Sequence, residues 1–200
     1  MENSQWIYAV LLGLGLASAT GLNTFLPLLM LAGAAHFELF GVELNGSYAW
    51  LASEGALTTL LLATIVEVAG DKIPAVDHAL DVVGTLARPA AGTLATAAVF
   101  HGSDPAVAAV LGLIIGAPTA LSFHAAKAGT RAASTATTLG VGNPVLSVLE
   151  DIASFFMALL SLLAPIVVPI ILLLMGWIVW KVSRAVRRNR PARGASRAAT

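Results

Sequence analysis

Between Trp6 and Trp180 the chain is almost continuously apolar, and two blocks of ionisable residues interrupt it. The first, EVAGDKIPAVDHALDVVGTLAR, carries Glu67, Asp71, Lys72, Asp77, His78, Asp81 and Arg88. The second, SFHAAKAGTRAASTATTLGVGNPVLSVLED, carries His124, Lys127, Arg131, Glu150 and Asp151. Each ionised group at mid-bilayer costs about 2.5–3.5 kcal/mol on the insertion scale, so such residues face a protein interior or an aqueous cavity. They are candidate functional residues by default.

The surroundings of these blocks fix the class. The chain is 58% hydrophobic and 11% charged, where soluble domains carry about 25% charged residues. Its 200 residues suffice for roughly six or seven spans of about 20 residues each, with no room for a soluble domain. The absence of cysteine excludes disulfides, iron–sulfur clusters and thiolate metal sites. Ile7–Leu16 followed by Ala17-Ser18-Ala19 has the outline of a signal peptide. No base precedes it, so an uncleaved first span is expected.

Apolar runs fall near 5–20, 22–36, 51–70, 89–101, 105–122, 145–163 and 164–181, interrupted by Gly13, Gly15, Gly21, Pro27, Gly116, Pro118, Pro165 and Pro169. Proline within a span frees backbone groups that only protein or water can satisfy, so broken or re-entrant helices are expected. Helices should start at Asp104-Pro105 and Asn143-Pro144, each a capping residue followed by proline. Lys72, Arg88, Lys127, Arg131 and the tail KVSRAVRRNRPARGASR lie toward the cytoplasm by the positive-inside rule, and the segment 37–50, with Glu38 and Glu43, lies outside. Trp6, Tyr8, Tyr48 and Trp50 mark the outer interface, and Trp177 and Trp180 the inner one. The expectation is an all-α, polytopic transmembrane bundle of about seven segments, N-terminus outside and C-terminus cytoplasmic. Residues 1–182 form one membrane domain and 183–200 a disordered basic tail.

LGLGLASATGLNTF (12–25) aligns with LGLIIGAPTALSFH (111–124), which suggests a two-fold repeat with halves 5–101 and 105–182. Transporters built from repeats bind substrate at the repeat interface, on discontinuous helices.

At about 100° per residue, Asp77, Asp81, Thr85 and Arg88 share an arc of roughly 80°. His124, Lys127, Arg131, Ser134 and Thr138 share a similar arc, and the rest of that helix is Ala and Gly (Ala125, Ala126, Gly129, Ala132, Ala133, Ala136). A helix lying on a membrane surface needs a bulky apolar face. Small residues instead permit close helix packing, so 124–138 is expected among other helices. Two readings follow. Either the stripes line a polar cavity, or they pair: Asp77 or Asp81 with Lys127 or Arg131, and Glu150 or Asp151 with Arg88. Buried pairs seldom repay their desolvation relative to apolar packing, which favours the cavity.

Glu67 and Asp71, four apart on one face, suit a proton or cation site, or Asp71 caps the break before Pro74. His78 is a metal ligand, a proton carrier or a hydrogen-bonded filler. Lys127 and Arg131 suit an anion such as a phosphate or carboxylate, or internal acids. Asn23 and Thr24, just before Pro27, fall where a broken helix exposes its backbone. The candidate substrate or ion-binding set is Glu67, Asp71, Asp77, Asp81, Arg88, His124, Lys127, Arg131, Glu150 and Asp151. HExxH, GxSxG and Walker-type loops are absent. The Asp77-xxx-Asp81 pair is superficially like membrane alcohol phosphotransferases but lacks their Asp-Gly-x-x-Ala-Arg element. No enzymatic activity, cofactor or nucleic-acid partner is expected.

TGLNTFLPLL, EVAGDKIPAVDHALDVVGTLARPAAG and AKAGTRAASTATTLGVGNPVLSVLED together resemble a family of small bacterial membrane proteins, domain of unknown function 4126, over most of residues 5–182. The resemblance implies a multi-pass inner-membrane protein and supplies no catalytic residues. The function expected is a small transporter or channel for protons, cations or a small anion; the alternative is a scaffold whose charges are structural pairs. A homodimer is expected from so small an interior.

Overall fold

The computed structural model describes residues 3–188, all helix, turn or loop, with no strand among them. The helices are α1 (Asn3–Leu22), α2 (Leu26–His36), α3 (Glu54–Gly70), α4 (Pro74–Ala98), α5 (Pro105–Leu111), α6 (Ala117–Thr138), α7 (Asn143–Leu163) and α8 (Val168–Arg188). A π-helical turn, Gly112–Gly116, joins α5 to α6. Short 3-10 turns occupy Leu39–Gly41, Gly46–Ala52 and Pro165–Val167.

Local chemistry sets these boundaries. Asp104 accepts from the Ala106 and Val107 amides at 2.8 and 3.3 Å, with Pro105 in the first turn, as the sequence predicts. Ser53 caps α3 through the Ala56 amide at 3.2 Å. Asn143 departs from expectation: its amide nitrogen donates to the Thr135 hydroxyl at 3.1 Å, and α7 starts with no side-chain cap. The bond ties the start of α7 back to α6.

α1 is the centre of the first unit, residues 1–168. It packs against α4, α6 and α7, and α2 packs on α3 and α7. Small residues allow the close approach. A Cβ on Gly116 would collide with the Gly92 carbonyl of α4, and one on Gly21 with the Ala120 carbonyl of α6. At the start of α1, the Trp6 and Phe100 rings meet at a 52° tilt with centroids 5.5 Å apart, beside buried Ala9 and Ala108. Asn45 fastens the 37–50 segment there, donating to the Phe100 and Ser103 carbonyls at 3.0 and 2.9 Å.

Three helical stretches are long and apolar enough to cross a membrane: Asn3–Leu22, Pro105–Thr138 and Asn143–Leu163. The pair Gly46–Ala52 and Glu54–Gly70, bent by 63°, makes a fourth if taken as one span. The α2 helix is short at 11 residues, and α4 carries Asp77, Asp81 and Arg88. The break expected at Gly116 does not occur, and a proline not counted among the interruptions, Pro89, makes none either. Pro89 lies inside continuous α4, and Gly116 ends the π turn within a continuous 34-residue helical run. The Asp77–Arg88 stripe and the His124–Arg131 stripe therefore each belong to a long helical run whose other half is apolar. The stretch 12–22 is unbroken α-helix, whereas its proposed repeat partner includes the π turn.

Residues 169–200 form the second unit, which overlaps the expected tail from residue 183. Within it, Lys181 lies 4.8 Å over the Trp177 ring and Arg184 5.0 Å over Trp180. Residues 189–200 of the tail lie outside the described residues.

Candidate functional site

The chain breaks between α1 and α2 at Asn23–Phe25, and this break organises the site. Ending one helix and starting another leaves carbonyls and amides without partners. Lys127 of α6 donates to the Leu22 carbonyl at 3.0 Å. Glu67 of α3 accepts from the Thr24 amide at 2.9 Å to both oxygens, from the Thr24 hydroxyl at 2.8 Å and from the Phe25 amide at 3.1 Å. Asn23 accepts from the Leu26 amide at 3.0 Å and donates to Asp151 of α7 at 2.9 Å. A cation thus sits at the C-terminal end of α1 and an anion at the N-terminal end of α2, the arrangement the helix dipoles favour.

From there the ionised groups form one connected network. Arg131 is its hub. It binds Glu150 through Nη2 at 2.6 Å and Nε at 3.1 Å, bonds Asp77 through Nη1, and lies 3.5 Å from Asp71 and 3.6 Å from Asp81. Lys127 pairs with Asp71 at 3.2 Å and Glu150 at 3.3 Å. Asp81 continues the chain to Arg88 at 3.5 Å, and Arg88 lies 3.6 Å from Glu67. Arg88 also donates to His124 Nδ1. That nitrogen is therefore an acceptor, so Nε2 carries the proton and faces the Thr85 hydroxyl at 3.2 Å. At the rim, Lys72 binds Asp151 at 2.8 Å and Ser147 at 3.2 Å.

All ten residues of the candidate substrate or ion-binding set join this assembly. Glu67, Asp71, Asp77, Arg88, His124, Lys127, Arg131 and Glu150 are buried, and Arg88 is fully enclosed. Asp81 and Asp151 are part-exposed, their side chains at 25% and 15%. The arc through Asp77, Asp81, Thr85 and Arg88 does meet the arc through His124, Lys127 and Arg131. Ser134 and Thr138 of that second arc face each other instead, at 3.4 Å.

Three details of the sequence reading change. The pairing of Arg88 with Glu150 or Asp151 is not made: Arg88 meets Glu67 and Asp81, Glu150 meets Arg131 and Lys127, and Asp151 meets Lys72. The physical reason is register, since Arg88 lies three turns along α4 from Asp77, level with Glu67 and His124. Asp71 is both cap and site residue: it is the C-cap residue of α3, and its side chain is a network member. The Ala/Gly face of α6 points outward, with Ala125, Ala126, Gly129, Ala132, Ala133 and Ala136 all exposed, because the polar stripe takes the side the bundle covers. Lys72 is the member sequence reasoning left out of the set; its place one residue after Asp71 and the acid at Asp151 were the available signals. The His78 side chain lies outside the described residues.

Among the described residues, five carboxylates (Glu67, Asp71, Asp77, Asp81, Glu150) face three fixed cations (Arg88, Lys127, Arg131), so acids outnumber bases by two. Among the described residues, no group of three or more His, Asp or Glu is placed to hold a metal ion. Asp71 Oδ1, and Arg88 Nε and Nη2, are buried without a hydrogen-bond partner in this structure.

A family model described as "Domain of unknown function (DUF4126)" matches residues 10–185. The chain belongs to this family. The matched stretch holds the whole network and the α1–α2 break. No curated protein and no solved structure matches the chain. Three of its helical stretches, or four counting the bent pair, are long and apolar enough to cross a membrane, which is compatible with a membrane protein.

Proposed function

We propose that this DUF4126 protein is a small integral membrane transporter that moves protons through the network, coupled to a small ion. The feature that carries this reading is that five carboxylates, four of them buried, outnumber the three fixed cations of the network. An excess at such depth calls for a compensating charge, and protons fit carboxylates that have no metal-like grouping. Exposure is graded along the network. Asp81 reaches the surface with its side chain 25% exposed, while Asp71 is 1% exposed. A proton accepted at Asp81 has Asp77 and Asp71 as successive stations around Arg131.

The setting proposed is the inner membrane of a bacterium, with α2, α4 and α8 added to the four span candidates to give seven passes. Halves 5–101 and 105–182 are the proposed repeat units, and a homodimer the assembly. With Lys72, Arg88, Lys127 and Arg131 engaged in the network, the orientation with the C-terminus in the cytoplasm rests on the basic tail.

Purified protein in liposomes loaded with a pH-sensitive dye should show proton flux that Asp77→Asn or Asp81→Asn abolishes, with helical content and elution volume unchanged. Flux at the native rate in both variants would overturn the assignment.

One observation favours a second reading, that the charges only lock the bundle. Each fixed cation of the network already touches a carboxylate, and Arg131 touches four. On that reading, exchanging a contacting pair (Asp71→Lys with Lys127→Asp) restores whatever the single changes destroy. Asp81 and Lys127, which the sequence suggested as partners, are not a contacting pair among the ion pairs seen.

A further inference from the structure

Glu67 occupies a position that does not need a side chain of this protein. The donors around it, the Thr24 and Phe25 amides and the Thr24 hydroxyl, belong to the α1–α2 break, and they reach it at 2.8–3.1 Å. The amides open an 11-residue helix, whose N-terminus attracts anions of any origin. Arg88 approaches the same carboxylate from α4, with Nη2 3.6 Å from Oε1. It is fully buried, yet its Nε and Nη2 make no hydrogen bond in this structure. A buried guanidinium with two free donor nitrogens is an incomplete anion site, because a planar oxyanion or a halide would take both.

We propose that the α1–α2 break and Arg88 form a binding site for a small monovalent anion, of halide, nitrate or formate size, which the Glu67 carboxylate fills in this structure. This deepens the reading of the network as a transport path by naming the ion coupled to the proton. The site has room for one carboxylate, so an anion enters only as Glu67 swings out. Entry would add a third negative charge to a network already two in excess. Uptake of one proton by the departing Glu67 cancels it, so anion and proton move together. The groups facing Glu67 agree with this exchange. Arg88 comes from α4 with Asp81 beyond it, His124 lies on another nitrogen of Arg88 from α6, and α1 and α2 supply uncharged donors only.

The test removes the tethered occupant. Glu67→Ala, purified in detergent with sodium gluconate, is titrated with sodium nitrate and sodium chloride and followed by thermal unfolding and calorimetry. Saturable binding should raise its Tm by about 5–10 °C at roughly a hundred times Kd. The native chain at neutral pH should show no such rise. Adding Thr24→Val to Glu67→Ala should weaken binding at least tenfold, as expected for a lost donor. Nitrate and chloride acting no differently from gluconate on Glu67→Ala would overturn the site. If Glu67→Ala is not recovered folded in gluconate, recovery in nitrate or formate supports the site. Should it be recovered in none of them, calorimetry of the native protein with sodium nitrate at acid pH decides: saturable binding that gluconate does not give supports the site, and none overturns it. Proton flux and its loss in Asp77→Asn are read separately. Anion binding without proton flux removes the transport reading alone, and flux without anion binding removes the site alone.

Discussion

Where α1 begins, the bundle closes on Trp6, Tyr48 and Phe100; where α1 ends, it closes on Glu67, Lys127 and Arg131. The first closure uses tilted aromatic rings, alanines and the neutral side chain of Asn45 on two carbonyls. It gains from apolar burial and leaves no ion to desolvate. The second gathers ionised groups from α3, α4, α6 and α7 around a helix break. Such clusters hold only while every partner is present, since removing one leaves another buried and alone. The same small protein can therefore close a bundle end without charge, and does so. That it closes the other end with ions argues for a role beyond holding helices together.

The comparison breaks most readily at Arg131. Arg131→Met leaves Asp77 and Glu150 buried without their main partner, and should cost about 3–5 kcal/mol in denaturant unfolding of the detergent-solubilised protein. Combining it with Asp77→Asn and Glu150→Gln should return much of that loss. A variant within about 1 kcal/mol of the native protein would mean that water reaches these acids, and the two ends would no longer differ in kind. Between the ends, Gly116→Ala forces a methyl against the Gly92 carbonyl and, as α4 and the π turn move apart, should cost about 1–3 kcal/mol by the same measurement. At the neutral end, Asn45→Ala removes the donor to the Ser103 carbonyl and one of the donors to the Phe100 carbonyl, which keeps the Ser103 hydroxyl and amide. It should cost roughly 1 kcal/mol by that measurement.

Much of the charged end was legible in the sequence, and for one physical reason: ionisable residues in an apolar chain are conspicuous, and a helical period sorts them onto faces. Asp77, Asp81 and Arg88 fall on one side of α4 and His124, Lys127 and Arg131 on one side of α6, as the spacing predicts. Which acid meets which base was not legible, because that depends on the height at which one helix passes another. Arg88 shows this, being drawn to Glu67 and His124 rather than to α7. The continuity of α4 through Pro89 was hidden for a similar reason. Proline removes one amide and does not by itself say whether neighbouring helices hold the axis straight. The neutral end was less visible still. Trp6 and Tyr48 read as interfacial markers, whereas Phe100 and Asn45 carried no signal of burial, since an asparagine that fastens two carbonyls has the same spelling as one in a turn.

The smallest effect expected concerns the pairs at the rims, and it asks whether depth alone separates the ends. Lys72 and Asp151 touch at 2.8 Å with side chains 33% and 15% exposed, while Glu43 and His101 touch at 3.0 Å at the neutral end, 71% and 54% exposed. A part-exposed ion pair is screened by water and salt, so Lys72→Ala should cost no more than about 1 kcal/mol and lose its effect as salt is raised. The more exposed His101→Ala should fall within about 0.5 kcal/mol of the native protein. Asp151 differs from Glu43 in one respect: it also accepts from Asn23 at the α1–α2 break. Asp151→Ala should therefore exceed Lys72→Ala in cost, and only that excess should survive high salt. Equal costs for the two would place Lys72 and Asp151 with the surface pairs and move the boundary of the network inward to Glu150.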